Sequence, residues 1–174
     1  MNKIFFIAFA GMLCICSSCN TATTTVGDTG KDSTAQKNLA AFDVVSNAFQ
    51  TGDASKIDSV VADDFVDHTD KGDVKGKDSL KAMIAMMHNN FKNMKTETKN
   101  EAAGGDYVYG WMHYSGTSDG TMGMPKGPFD MTSIELVKFN NGKAVEHWAF
   151  MQPQDMMKMM PPPPPPMDPT KMKK

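Results

Sequence analysis

The chain has 174 residues, a formal net charge of −2, and 18 lysines with no arginine. Without guanidinium groups or a basic stripe it lacks the usual means of gripping phosphate and reading base edges, so no nucleic-acid partner is expected. All three cysteines fall within the first 19 residues, so the rest of the chain has no internal disulfide, cysteine zinc site or thiol nucleophile.

Residues 1–18 read as a secretory signal: Lys3 at the start, an apolar run containing Gly11, then small residues. The run is too short for a bilayer span of about 20 residues. Ser17-Ser18-Cys19 resembles the lipobox of bacterial lipoproteins. That resemblance implies that Cys19 is acylated and becomes the mature N-terminus, with Cys14 and Cys16 as alternatives and plain secretion as the simpler outcome. The expected location is the cell envelope, lipid-anchored on a periplasmic or outer-membrane face. Residues 19–33 are Thr, Ala, Gly, Asp and Ser-rich, the composition of a flexible tether.

A domain is expected over 34–155. Leu39, Phe42, Val45 and Phe49 recur at helical spacing, with Ser33 able to cap the start and Gly52 the end. A short second helix is expected over 53–65, capped by Asp53, with Ile57, Val60 and Val61 inward. A third carries Leu80, Met83, Ile84, Met87 and Phe91 on one stripe. After Asn93 the period changes to alternation, with turns at Gly104-Gly105 and at Asn141-Gly142, the strongest short hairpin signal. Helices first and antiparallel strands after make an α+β fold. Three helices cannot cover both faces of four long strands, so one sheet face curls over them and a pocket is expected between. Residues 156–174 form a Met/Pro-rich tail with six consecutive prolines, a stiff polyproline II segment with no backbone donors.

Four segments carry a family resemblance: "FQTGDASKIDSVVADDFVDH", "GKDSLKAMI", "GGDYVYGWMHYSGT" and "MPKGPFDMTSIELVKFNNGKAVEHW". Over roughly residues 39–152 the chain resembles the SnoaL-like polyketide cyclases of the nuclear transport factor 2-like superfamily, which also includes ketosteroid isomerase-like enzymes. The resemblance implies a cone: a curved antiparallel sheet wrapped around N-terminal helices, with a deep apolar pocket, often in a homodimer. It also implies an acid directly after the Trp of the last strand, where this chain has Ala149, and often a His where it has Ser118 beside Asp119.

The candidate site follows from strand alternation and that resemblance. His147 and Met151 share the face of position 149, with Trp148 and Phe150 opposite. Trp111 and His113 share a face with Tyr107 and Tyr109. His68 matches a family His near the pocket mouth. The five aspartates around it, Asp63, Asp64, Asp67, Asp70 and Asp73, are expected in a solvated turn, because as a calcium loop the stretch fails at Thr69 and Lys71. His88 is expected to be exposed. Phe42, Val45, Phe65, Met83, Met87, Met112 and Met151 form an expected apolar wall. The ligand pocket is therefore expected at His68, Trp111, His113, His147 and Met151, binding a small apolar or amphipathic molecule without catalysis, cofactor or metal. One alternative is a cyclase or isomerase using a histidine base, with Tyr107, Tyr109 or Tyr114 as donor. The other is a copper- or oxidant-handling surface, because the chain has 17 methionines and four leucines, and Met156, Met157, Met159 and Met160 cluster beside the prolines.

Overall fold

The computed structural model describes residues 33–160. Cys19, the expected signal segment and the proline run lie outside the described residues. Helix α1 (Ser33–Thr51) ends at Gly52, whose φ of 76° lets its N–H donate to the Ala48 carbonyl at 2.8 Å. One helical turn, α2 (Ile57–Val60), leads into β1 (Val61–Thr69) and its hairpin partner β2 (Gly72–Lys75). Helix α3 (Lys77–Asn90) is followed by β3 (Phe91–Gly104), β4 (Tyr107–Ser118), β5 (Gly127–Asn140), β6 (Lys143–Met151) and a short α4 (Pro153–Met159).

The strands form one curved, unclosed sheet in the order β2-β1-β6-β5-β4-β3. Its concave side packs on the helices, giving the mixed α+β cone. Phe42 and Ala48 of α1, Ile57 of α2 and Leu80 and Ile84 of α3 meet Val108, Met112 and Phe139 of the sheet in one buried core. The close packing of α1 depends on Gly110, because a Cβ there would stand 2.4 Å from the Phe42 ring. The β5–β6 hairpin turns at Asn141 (φ 50°) and Gly142 (φ 77°), the paired positive φ angles of a type I′ turn.

Three expectations are corrected. The second helix stops at Val60, and the residues after it form strand β1. The β-branched pair Val60-Val61 favours extension, and β6 supplies a ladder partner that no local pattern announces. Asp53 accepts the Ser55 N–H at 2.9 Å, while the residue before α2 is Lys56, with no side-chain cap. The acidic stretch read as a solvated turn is the β1–β2 hairpin, so the sheet has six strands, and β1 and β6 run parallel. No described helix is long and apolar enough to cross a membrane.

Candidate functional site on the concave face

Strand pairing decides which side chains meet. Val137 pairs with His147, Glu135 with Ala149 and Ser133 with Met151, and across the parallel ladder Asp67 pairs with His147. Val137, Ser133 and Asp67 are all buried, so this is the face turned to the core. His147 lies between two carboxylates: its Nδ1 is 2.7 Å from Asp67 Oδ1 and its Nε2 is 2.6 Å from Glu135 Oε2. Glu135 Oε1 accepts further bonds from the Tyr114 hydroxyl at 3.0 Å and from the Ser133 hydroxyl.

A neutral imidazole has one N–H, and here both ring nitrogens face carboxylate oxygens. Only imidazolium satisfies both. Burial is the largest single effect on His147 and pulls its pKa down. The bonds to Asp67 and Glu135 and the charges of those carboxylates together outweigh it, leaving a pKa of about 9. Burial first, then the Glu135 charge and hydrogen bond, push the Tyr114 phenol well above its ordinary range, so it keeps its proton. The arrangement is a fixed proton-bearing cation between two anions, with two hydroxyl donors on one of them.

Next to this network lies a cavity of about 170 Å³, lined by Met87, Phe91, Met94, Tyr114, Met122, Met124, Phe129 and Met131. Among these residues only Tyr114 has a polar side chain with oxygen or nitrogen, so it joins the cavity to the charged network. A second depression of about 280 Å³ shares Met124, Phe129 and Met131 and is bounded by Asp155 and Lys158 of α4.

The structure brings only part of the expected site together. His147 and Met151 lie on the concave face. Trp111 pairs with Ile134, His113 with Thr132 and His68 with Trp148, all on the convex face. Trp111 and Tyr109 are 48% and 47% exposed there. The pleat sets this: Met112 and Val108 fill the core, so their alternate neighbours must point out. His68 stacks on Trp148 with centroids 4.6 Å apart and bonds Asp73 and Glu146, which raise its pKa in that order. His113 faces Asp130 at 3.1 Å. Phe42, Phe65 and Met112 of the expected wall are packed core, and of that wall only Met87 lines the cavity. Of the three tyrosines, Tyr114 alone reaches the network. Ser118 is buried and ties its own loop, accepting the Gly120 N–H at 3.1 Å.

Asp67 and Glu135 were missed. Asp67 is one of the five aspartates expected in a solvated turn, and Glu135 was not among the candidate residues. Glu135 stands opposite Ala149 only because the register shifts between Lys138 and Phe139; an uninterrupted Asn141-Gly142 hairpin would set it opposite Trp148, so no local signal marked it. Among the described residues, no group of three or more His, Cys, Asp or Glu is placed to hold a metal ion. Met156, Met157 and Met160 are exposed on and after α4.

A sequence model described as SnoaL-like polyketide cyclase matches residues 40–160. No curated protein matches in sequence. Among solved structures, a candidate SnoaL-like polyketide cyclase from Jannaschia sp. CCS1 is 18% identical, with TM-score 0.65, covering 77% of this chain and 98% of that one. TsrD from Streptomyces laurentii is 17% identical, TM-score 0.63, covering 71% and 94%. A nuclear transport factor 2-like protein of unknown function from Burkholderia pseudomallei is 17% identical, TM-score 0.59, covering 71% and 97%. At these identities the likeness concerns the fold.

The histidine pair of carboxylates makes stability depend on pH. An unfolded histidine titrates near 6.5 and folded His147 near 9. Below 6.5 both states hold the proton and the stabilisation is fully present. As pH rises toward 9 the unfolded chain releases it first, and the stabilisation is lost as the folded pKa is passed. A rise from 6.5 to about 9 corresponds to a stabilisation on the order of 3 kcal/mol. Urea midpoints should fall between pH 6.5 and 9.5, and His147→Gln should flatten that slope. An unchanged slope in the variant would assign the effect elsewhere.

Proposed function

The chain belongs to the SnoaL-like polyketide cyclase family, and we propose that this member is a binding domain. Its concave face takes a small apolar or amphipathic molecule without turning it over. The observation that carries this reading is the lining of the cavity: five methionines, two phenylalanines and one tyrosine. Apolar walls with few oriented polar groups are the usual composition of a binding site. Position 149, where the family resemblance calls for an acid, is alanine.

A second reading rests on a different observation. Glu135 stands directly opposite Ala149 in the β5–β6 ladder and contacts His147. A carboxylate from the neighbouring strand thus reaches the face where the family acid would be. With an imidazolium beside it, the pair has the parts for proton transfer to and from a substrate of the cyclase or isomerase type.

The convex face suits a second copy of the chain. Trp111, Ile134 and Phe150 form one cross-strand row, with Phe150 55% exposed. Along β5 the outward residues run Asp130, Thr132, Ile134, Leu136 and Lys138. A two-fold axis at Ile134 sets Asp130 of one copy toward Lys138 of the other, with apolar contact between. The export reading adds a lipid on Cys19 that holds the domain at the envelope, supported by the residue pattern of 1–19.

Native mass spectrometry of the chain as purified should show a co-purifying apolar molecule that Met131→Gln weakens. An empty chain that turns over a cyclase or isomerase substrate, with loss on the order of 10²-fold in Glu135→Gln, would replace the first reading by the second. Sedimentation at micromolar concentration should give a dimer, and Ile134→Glu a monomer; a wild-type monomer refutes the interface. Labelling with a fatty-acid analogue should mark the chain and spare Cys19→Ala, whereas a labelled variant would move the anchor.

A further inference from the structure

The cavity beside Tyr114 constrains its occupant in size, charge and hydrogen-bonding sense. At about 170 Å³ it has room for about one ring, as an engineered apolar cavity of ~150 Å³ takes benzene, and unlike that sealed cavity it opens to solvent. No lining residue is charged, so an ionic ligand would lose its hydration with nothing in return. Phe91 and Phe129 meet edge to face, centroids 5.3 Å apart and planes at 67°. Thioethers and ring edges together favour a polarisable aromatic ring. The methionines are more than core filler. Met122 is 40% exposed, and Met87, Met94 and Met131 are only partly buried.

The polar end is more specific. The Tyr114 proton is committed to Glu135 Oε1 at 3.0 Å. A ligand that reaches the Tyr114 oxygen therefore meets a lone pair, strengthened as an acceptor because its own O–H is donating to a carboxylate. A ligand that brings a donor fits this polarity. One that brings only an acceptor meets no free proton.

We propose that the cavity is a site for a neutral aromatic molecule of about one ring carrying a single hydrogen-bond donor, a phenol-type hydroxyl, held by the methionines and by the Tyr114 oxygen. The proposal rests on the binding reading and narrows it to one ligand class.

The test uses the whole chain with methyl-¹³C methionine, titrated separately with phenol, toluene and benzoate. Phenol and toluene should shift the cavity methionine signals and leave Met156 and Met157 in place, and benzoate should shift neither set. In Tyr114→Phe, phenol should weaken roughly fivefold to tenfold, as one neutral hydrogen bond requires, while toluene affinity stays or rises. Retained toluene binding also reports that the variant is folded. If toluene binds but phenol is indifferent to Tyr114→Phe, or benzoate binds as well as phenol, the proposal is overturned and the binding reading stands. If none of the three moves a cavity methionine, the proposal and the cavity's role as a binding site both fall.

Discussion

His147, held between Asp67 on β1 and Glu135 on β5, is the contact around which the concave face is arranged. Charges taken out of water are tolerated only when paired and hydrogen-bonded, and removing one partner of a buried pair typically costs about 3–5 kcal/mol. Here the pairing also does topological work. The β1–β6 ladder is the only parallel one among the described strands, and its register shifts between Val61 and Val66. A strand entering such a shift can slip, and a slip by one residue would present Val66 or His68 to the core face instead of Asp67. Either would leave the imidazolium with one carboxylate. The ion pair thereby selects the register in which Phe65 is buried and His68 lies outside.

The same pleat separates two chemistries on one sheet. Inside, hydrogen bonds link Asp67, His147 and Glu135, and the Ser133 and Tyr114 hydroxyls extend that network. Outside, Trp148 stacks on His68, and Lys138 meets Glu146 at 2.6 Å. Each strand contributes to both sets by alternation, so the side a residue takes depends on which of its neighbours the core requires. That requirement is strict on β4, where Val108, Gly110 and Met112 are all buried, and Gly110 has no room for a Cβ.

The legible parts of the sequence were those with local causes. Helices α1 and α3 follow from apolar spacing, and the β5–β6 hairpin from Asn141-Gly142, whose backbone angles only a turn of that kind asks for. Alternation also gave the sides of His147 and Trp148 relative to each other. It could not say which side of β4 faces in, because Tyr109-Trp111 and Val108-Met112 are both apolar sets. The aromatic set looked more like a pocket, and the smaller set filled the core. Strand β1 was hidden for a different reason. Its partners are β2, across an acidic hairpin, and β6, some 80 residues away, so nothing near Val61 distinguishes a strand from the end of a helix. Asp67 and Glu135 became meaningful only when those distant pairings set them on either side of His147.

The methionine excess takes on a physical sense once the side chains are placed. If methionine only replaced leucine, it would be found in the closed core. The core is filled instead by Phe42, Phe65, Phe139, Ile57, Ile84 and several valines and alanines, and of the methionines with described side chains only Met112 and Met124 are buried. Met87, Met94, Met122 and Met131 line the cavity together with Met124; Met156, Met157 and Met160 are exposed on or just after α4, and Met83 packs against the core from one side. A rim of branched side chains would fix the cavity's volume, because each has one favoured rotamer. Unbranched thioethers change rotamer at little cost and keep contact as they move. Walls of this kind adjust their contacts to what they surround, while Tyr114 beside them stays fixed by its bond to Glu135. The walls adapt in detail and Tyr114 does not, so uncharged thioether walls and one oriented hydroxyl group divide the recognition between them.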